Sequence, residues 1–168
     1  QLETCFHALN AKAAIYALES VNCGFPLIIS VSVNDKSGRT LTGQTLEAFY
    51  TSARHYPLLS FGLNCSLGAE ELAPLAKEVA EFSDFPLICY PNAGIPNEVG
   101  EYDETPEKMA GTMGEMANAG LLNIAGGCCG TTPDHIRAIA EAVRGKKPRP
   151  IKRKDNTLTI SGLESYRI

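Results

Sequence analysis

Four short apolar runs set the architecture of this chain: PLIISVSV at 26–33, LLSFGLNC at 58–65, PLICY at 86–90 and LLNIAGG at 121–127. Each is too short for a core helix and is rich in aliphatic side chains, the pattern of a strand covered on both faces. Helical segments separate them. LNAKAAIYALE at 9–19 leads, residues 44–55 follow the first run, and GAEELAPLAKEVAEF at 68–82 follows the second. After the third run comes the long loop PNAGIPNEVGEYDE. Thr105 then reads as an N-cap with Pro106 at the first helical position, and this helix runs to about Ala119 and stops at Gly120. Thr132, again followed by proline, caps a last helix. Four strand-helix units and a leading helix predict an α/β fold with a parallel sheet. A complete (β/α)₈ barrel needs ~250 residues. The chain has 168, so the pattern leaves either a small open sheet or the second half of a barrel.

Charge and hydropathy exclude several functions. Net charge is −4, so no electrostatic attraction to nucleic acid or an anionic membrane is expected. The one basic run, RGKKPRPIKRK from Arg144 to Lys154, contains prolines, lies outside the periodic segments and reads as a solvated linker. No apolar run approaches the ~20 residues that span a bilayer, and no stretch reads as a signal peptide. The chain opens on Gln1 rather than methionine, as a piece of a longer protein would.

The six cysteines are Cys5, Cys23, Cys65, Cys89, Cys128 and Cys129. Nothing suggests secretion, so reduced thiols in a cytoplasmic setting are expected, with metal binding or catalysis open to them. Cys5, Cys23 and Cys89 read as small core hydrophobes. Cys65 ends the second run, while Cys128 and Cys129 lie in the glycine turn GGCCG that ends the fourth. There Gly126, Gly127 and Gly130 would let the backbone leave the strand. In parallel α/β folds, sites form at the carboxyl ends of strands. Three thiolates converging there suit zinc and leave a fourth position open, as catalytic zinc sites do. On spacing alone, buried structural cysteines or a strained redox pair remain alternatives.

FGLNCSLG, CYPNAGIPNEVGEYDETP and NIAGGCCGTTPDHI, in that order, resemble the homocysteine-binding (homocysteine S-methyltransferase) domain of cobalamin-dependent methionine synthases. LNAKAA, DKSGRTLTGQT and the closing ISGLESYRI extend the resemblance over nearly the whole chain. It implies the C-terminal half of a (β/α)₈ TIM barrel over residues 1–145, beginning at the end of the fourth strand. It also implies that 146–168 are a linker toward a folate-binding domain. It assigns zinc to Cys65, Cys128 and Cys129, with homocysteine sulfur as the incoming ligand. The implied methyl donor is methylcobalamin, recharged by methyltetrahydrofolate; both cofactors would bind other domains of the same parent chain.

The resemblance further implies substrate roles for Glu3, toward the α-amine, and for Asn92, beside zinc. The plain alternatives are a strand-end carboxylate and a turn asparagine. Asn64 is expected to order the turn around Cys65, and His135 to be a surface or capping residue. Two positions depart from the family pattern: His7-Ala8 replaces Asp-Thr, and Val31 replaces glycine. Both put substrate contacts, rather than the zinc motif, in question. Two other functions compete: a stand-alone homocysteine methyltransferase using a betaine or sulfonium donor, and a non-catalytic zinc-binding or structural half-barrel. A half-barrel alone would leave two strand edges unpaired.

Overall fold

A computed structural model describes residues 1–22, 24–152 and 157–168. In chain order the elements are β1 Leu2–Cys5, α1 Ala8–Val21, β2 Leu27–Val31, α2 Leu46–Ala53, β3 Leu58–Gly68, α3 Ala69–Phe82, β4 Leu87–Asn92, α4 Pro106–Asn118, β5 Ile124–Ala125 and α5 Pro133–Val143. A hairpin, β6 Thr159–Ser161 and β7 Ser165–Arg167, closes the described chain. The periodicity predicts four strands; the sheet has five, because four-residue β1 is too short to announce itself. The fourth predicted strand is also trimmed: only Ile124–Ala125 pairs with β4.

All pairings in the main sheet are parallel, and its order is β1-β2-β3-β4-β5. That monotone order decides what the sequence pattern left open. A doubly wound sheet reverses order at its switch point. Right-handed crossovers that always step the same way keep every helix on one side, which is how a barrel wall is built. Within the sheet β1 and β5 each pair on one side only.

Side chains alternate in rows set by the register. Ile29, Phe61 and Leu87 form one row, and Val31, Leu63, Cys89 and Ala125 the next. These rows join Leu46, Phe49 and Tyr50 of α2, Leu72 and Val79 of α3, and Met109 and Met113 of α4 in one core. A fully buried aliphatic side chain contributes ~1.5–3 kcal/mol, so this face holds the helices to the sheet. The intervening rows, Ser30–Gly62–Ile88–Ile124 and Asn64–Tyr90, face the opposite side.

The helix starts follow the sequence. Thr105 accepts from Lys108 N at 3.3 Å and carries Pro106 as its first helical neighbour. Thr132 and His135 form a reciprocal capping box on α5. His7 caps α1 by accepting from Leu9 N through Nδ1 at 3.1 Å. Val31 is fully buried in the helix-packed core, one row away from Asn64.

The basic run is not wholly a solvated linker. Arg149 is 4% exposed and donates to the carbonyls of Ala80, Ser83 and Phe85, at 2.9, 2.5 and 3.0 Å. Ala80 lies in the last turn of α3, whose carbonyls lack intrahelical donors, and Ser83 and Phe85 follow directly after it. Arg153 and Lys154, at the end of that run, lie outside the described residues. Beyond them the hairpin docks on α2: Thr45 N donates to Leu163 O at 2.9 Å, Gln44 Nε2 to Gly162 O at 2.8 Å, and Ser161 Oγ to Ala48 O at 2.6 Å. No helix among the described residues is long and apolar enough to cross a membrane.

Candidate metal centre

The site is built where β3 and β4 end. Asn64 pairs with Tyr90 and Gly68 with Asn92, so four steps along β3 match two along β4. The surplus chain is the bulge at Cys65 and Ser66, both in the left-handed region at φ 63° and 67°. Neither is glycine, so this backbone is strained, as positions held for function often are. Ser66 Oγ contacts Ser32 Oγ at 2.5 Å, tying the bulge to the end of β2. The outcome is a Cys65 thiol turned toward the β5 end.

The opposing turn is lashed to β4. Cys128 N donates to Pro91 O at 2.7 Å, Ala93 N donates to Cys129 O at 2.9 Å, and Thr131 Oγ1 donates to Cys128 O at 2.7 Å. The glycines around it do two different jobs. Only Gly130 has a positive φ, 76°. Gly126 and Gly127 instead make room: a Cβ at Gly126 would stand 2.7 Å from the Tyr90 ring, and one at Gly127 2.4 Å from Thr131 Cγ2. Their expected role in redirecting the backbone through unusual dihedrals is therefore corrected.

This scaffold brings together the three predicted thiols. Cys65 Sγ and Cys129 Sγ are 3.6 Å apart, Cys128 Sγ and Cys129 Sγ 3.9 Å, and all three lie within 4.8 Å of one another. Zn–S bonds of ~2.3 Å at tetrahedral angles place sulfurs ~3.8 Å apart. The spacing and the soft donor set both fit zinc. All three cysteines are free, and a disulfide needs sulfurs at ~2.05 Å. Burial pushes the Cys128 thiol up to about 12; the Asn64 amide pulls the other way, and neighbouring Cys65 and Cys129 push further upward. A thiophilic cation held at this spacing would reverse that rise, because a coordinated thiol is deprotonated.

Asn64 is central to the arrangement and fully buried. Its Oδ1 accepts from Thr4 N at 3.0 Å, and its Nδ2 donates to Thr4 Oγ1 at 2.9 Å and to Cys128 Sγ at 3.7 Å. It joins β1 to the second cysteine turn rather than ordering the turn at Cys65. Asn92, 4% exposed, accepts from Cys129 N through Oδ1 at 3.2 Å. It stands beside the cysteines and braces one of them, and among the described residues it bonds neither its own backbone nor a sulfur. Glu3 is exposed on β1, in the wall of a cavity of about 270 Å³ with Thr4, Cys5 and His7. Burial first, and then the nearby Glu3 charge, raise the Tyr90 phenol. His135 caps α5 as expected but is buried, with Nε2 against Glu104 O at 2.8 Å.

Of the cysteines read as core residues, Cys89 is fully buried and its thiol is pushed up to about 12 by burial. Cys5 packs at the core margin and is raised to about 11 for the same reason. Cys23 lies outside the described residues. One site residue escaped the sequence reading: Tyr102. A Cβ on Gly130 would lie 2.3–2.7 Å from Tyr102 Cβ, Cγ and Cδ2, so this side chain covers the cysteine turn. Its phenol is raised by desolvation and then by Cys129, Cys65 and Cys128. The only trace in the sequence was its place in GEYDETP.

Comparison with known proteins places the fold. The homocysteine methyltransferase MmuM from Escherichia coli, in its apo form, matches with a TM-score of 0.61 at 22% identity, over 83% of this chain and 48% of that one. Its oxidised form matches with a TM-score of 0.68 at 22% identity, over 83% and 44%. Its metallated form matches with 0.54 at 22% identity, over 76% and 39%. The chain thus spans about half the length of these structures, and its five-stranded sheet is a partial TIM barrel. The model of the family described as homocysteine S-methyltransferase matches residues 1–143. That match takes in both cysteine motifs and most of the sequence, and the chain belongs to the homocysteine S-methyltransferase family.

Proposed function

We propose that this chain is the C-terminal half of a zinc-dependent homocysteine methyltransferase barrel, corresponding to residues 1–145. The observation that carries this reading is the convergence of three thiols, from two strand ends, at spacings of 3.6 and 3.9 Å. Cys65, Cys128 and Cys129 would hold the metal. Bound there, zinc would supply a Lewis acid that keeps a fourth, substrate sulfur ionised at neutral pH. Asn64 donates to Cys128 Sγ and fixes its direction. Asn92 holds the Cys129 amide and would stand beside the incoming substrate. The N-terminus of α5, four residues beyond Cys129, favours negative charge at the turn. Glu3 would receive the homocysteine α-amine from β1.

The methyl donor on this reading is methylcobalamin, recharged by methyltetrahydrofolate, each held by another domain of a methionine synthase. Residues 146–168 would lead toward the folate-binding domain, with the docked hairpin setting the exit direction. Support for that assignment is the sequence of the closing segment and its docking on α2.

Elemental analysis of the purified chain tests the metal. One zinc per chain is expected, lost in Cys65→Ser. Methyl transfer to homocysteine from methylcobalamin, betaine and a methylsulfonium, each with and without the complementary half-barrel, tests the chemistry. Turnover only with a betaine or sulfonium donor would replace the donor assignment. A second reading, a non-catalytic zinc-binding or structural half-barrel, is favoured by one observation: β1, the strand carrying Glu3, has a partner on one side only within the sheet. Zinc binding without turnover from any donor, with the complementary half present, would establish it.

A further inference from the structure

Beyond Gly68 and Gly94 lies a second cavity of about 350 Å³, whose walls include Glu70, Glu71, Asp103, Glu104 and Lys108. None of its lining residues offers sulfur or imidazole. Glu104 is 9% exposed, and its Oε1 is enclosed with no hydrogen-bond partner among the described residues. A carboxylate taken from water without a partner is strongly disfavoured. Glu104 Oε2 and Glu71 Oε2 each lie 3.0 Å from the spot a Cβ on Gly68 would fill, so both converge on space that Gly68 leaves open. Gly94, at φ +86°, brings its Cα within 3.4 Å of the same spot.

The charges around the cavity do not balance. Lys108 pairs with Glu70 at 3.7 Å, and Lys36 with Glu71 at 3.5 Å. Asp103 and Glu104 have no ion-pair partner among the described residues. Two carboxylates are thus left over, one of them enclosed. Burial raises the Glu104 carboxyl; Lys108 draws it back, and the Glu70 and Glu71 charges add to the rise.

We propose that this cavity binds a divalent cation through the carboxylates of Glu104 and Glu71, at a site separate from the three cysteines. Two surplus negative charges match a dication. Donors that are all hard oxygens select calcium or magnesium over zinc. Such an ion clamps the loop before α4 to the first turn of α3. That loop also carries Tyr102, which covers Gly130 and the cysteine turn, so the clamp steadies the cover of the metal centre.

Calcium chloride and magnesium chloride, each alone, are titrated calorimetrically into the zinc-free chain and into Cys65→Ser, with thermal melts alongside. At least one cation binds both proteins and raises both melting temperatures. Glu104→Gln, which keeps the side-chain size, weakens binding about tenfold or more, a loss of ~1.4 kcal/mol. If that variant does not fold, Glu71→Gln at the same cavity replaces it, with the same expected loss. Absence of any cation effect on the parent overturns the proposal, as does unchanged affinity in the folded variant. Stabilisation by Glu104→Gln that is equal with and without cation also overturns it, and assigns Glu104 as a buried neutral acid.

Discussion

Asn64 offers the sharpest test of how the metal centre is held. Asn64→Ala removes three hydrogen bonds at once: from Thr4 N, to Thr4 Oγ1 and to Cys128 Sγ. The site is fully buried, so the loss adds desolvation of the abandoned groups and a small void, ~2–4 kcal/mol in all. The bond to Cys128 carries a separate consequence. Outer partners of metal ligands typically account for 10–100-fold in affinity, so zinc binding should weaken by about that factor. Asn64→Asp separates the two effects. It keeps an acceptor for Thr4 N, and Thr4 Oγ1 can donate instead of accept, so it should cost less stability than alanine. It also loses the donor to Cys128 and sets a carboxylate against a thiolate, so it should lose more zinc affinity than alanine. Urea denaturation of the reduced, metal-free proteins measures the first ranking, and competition with a colorimetric chelator the second. Zinc affinity within about twofold of the parent in both variants would refute the argument, and leave Asn64 as a brace between β1 and the turn.

Gly130→Ala should destabilise the chain by roughly 2–4 kcal/mol, because a Cβ there meets both a left-handed backbone at φ 76° and the Tyr102 side chain; a companion Tyr102→Ala should relieve part of the loss, and a double-mutant cycle in urea measures it. Arg149→Met should cost about 3 kcal/mol by stripping the donor from three carbonyls around the end of α3; an unchanged denaturation midpoint would return the basic run to a solvated linker. Iodoacetamide at pH 8 should label exposed Cys129 first in the metal-free chain and spare Cys89, whose thiol is fully buried and pushed up to about 12. Zinc should then protect Cys65, Cys128 and Cys129 together, as read by peptide mass spectrometry.

Much of this molecule was legible in its letters because local rules acted without interference. Thr105-Pro106 and Thr132-Pro133 start helices where capping chemistry says they should. The apolar runs became strands because both their faces are covered. The cysteines fell at strand ends, where parallel sheets place their sites. Other features were hidden because their causes are distant in sequence. β1 is stabilised by pairing with β2 and by Asn64, sixty residues away, rather than by its own four residues. Arg149 reads as one more charge in a basic run until Ala80, Ser83 and Phe85, at and just after the end of α3, supply three carbonyls for it. His135 reads as a polar helix residue until Glu104 O meets it from the preceding loop.

The sequence by itself determined the parallel α/β class and the helix boundaries, since these depend on periodicity and caps within a few positions, and the family resemblance of its cysteine motifs singled out the three thiols. Tertiary structure alone decided the rest. Strand order, not strand content, separates a barrel wall from a doubly wound sheet, and order exists only once non-local pairs form. The left-handed bulge at Cys65 and Ser66 is imposed by the mismatch between β3 and β4, against the local preference of both residues. That mismatch brings a sulfur on one strand to within 3.6 Å of a sulfur 64 residues away, a distance that no local rule contains.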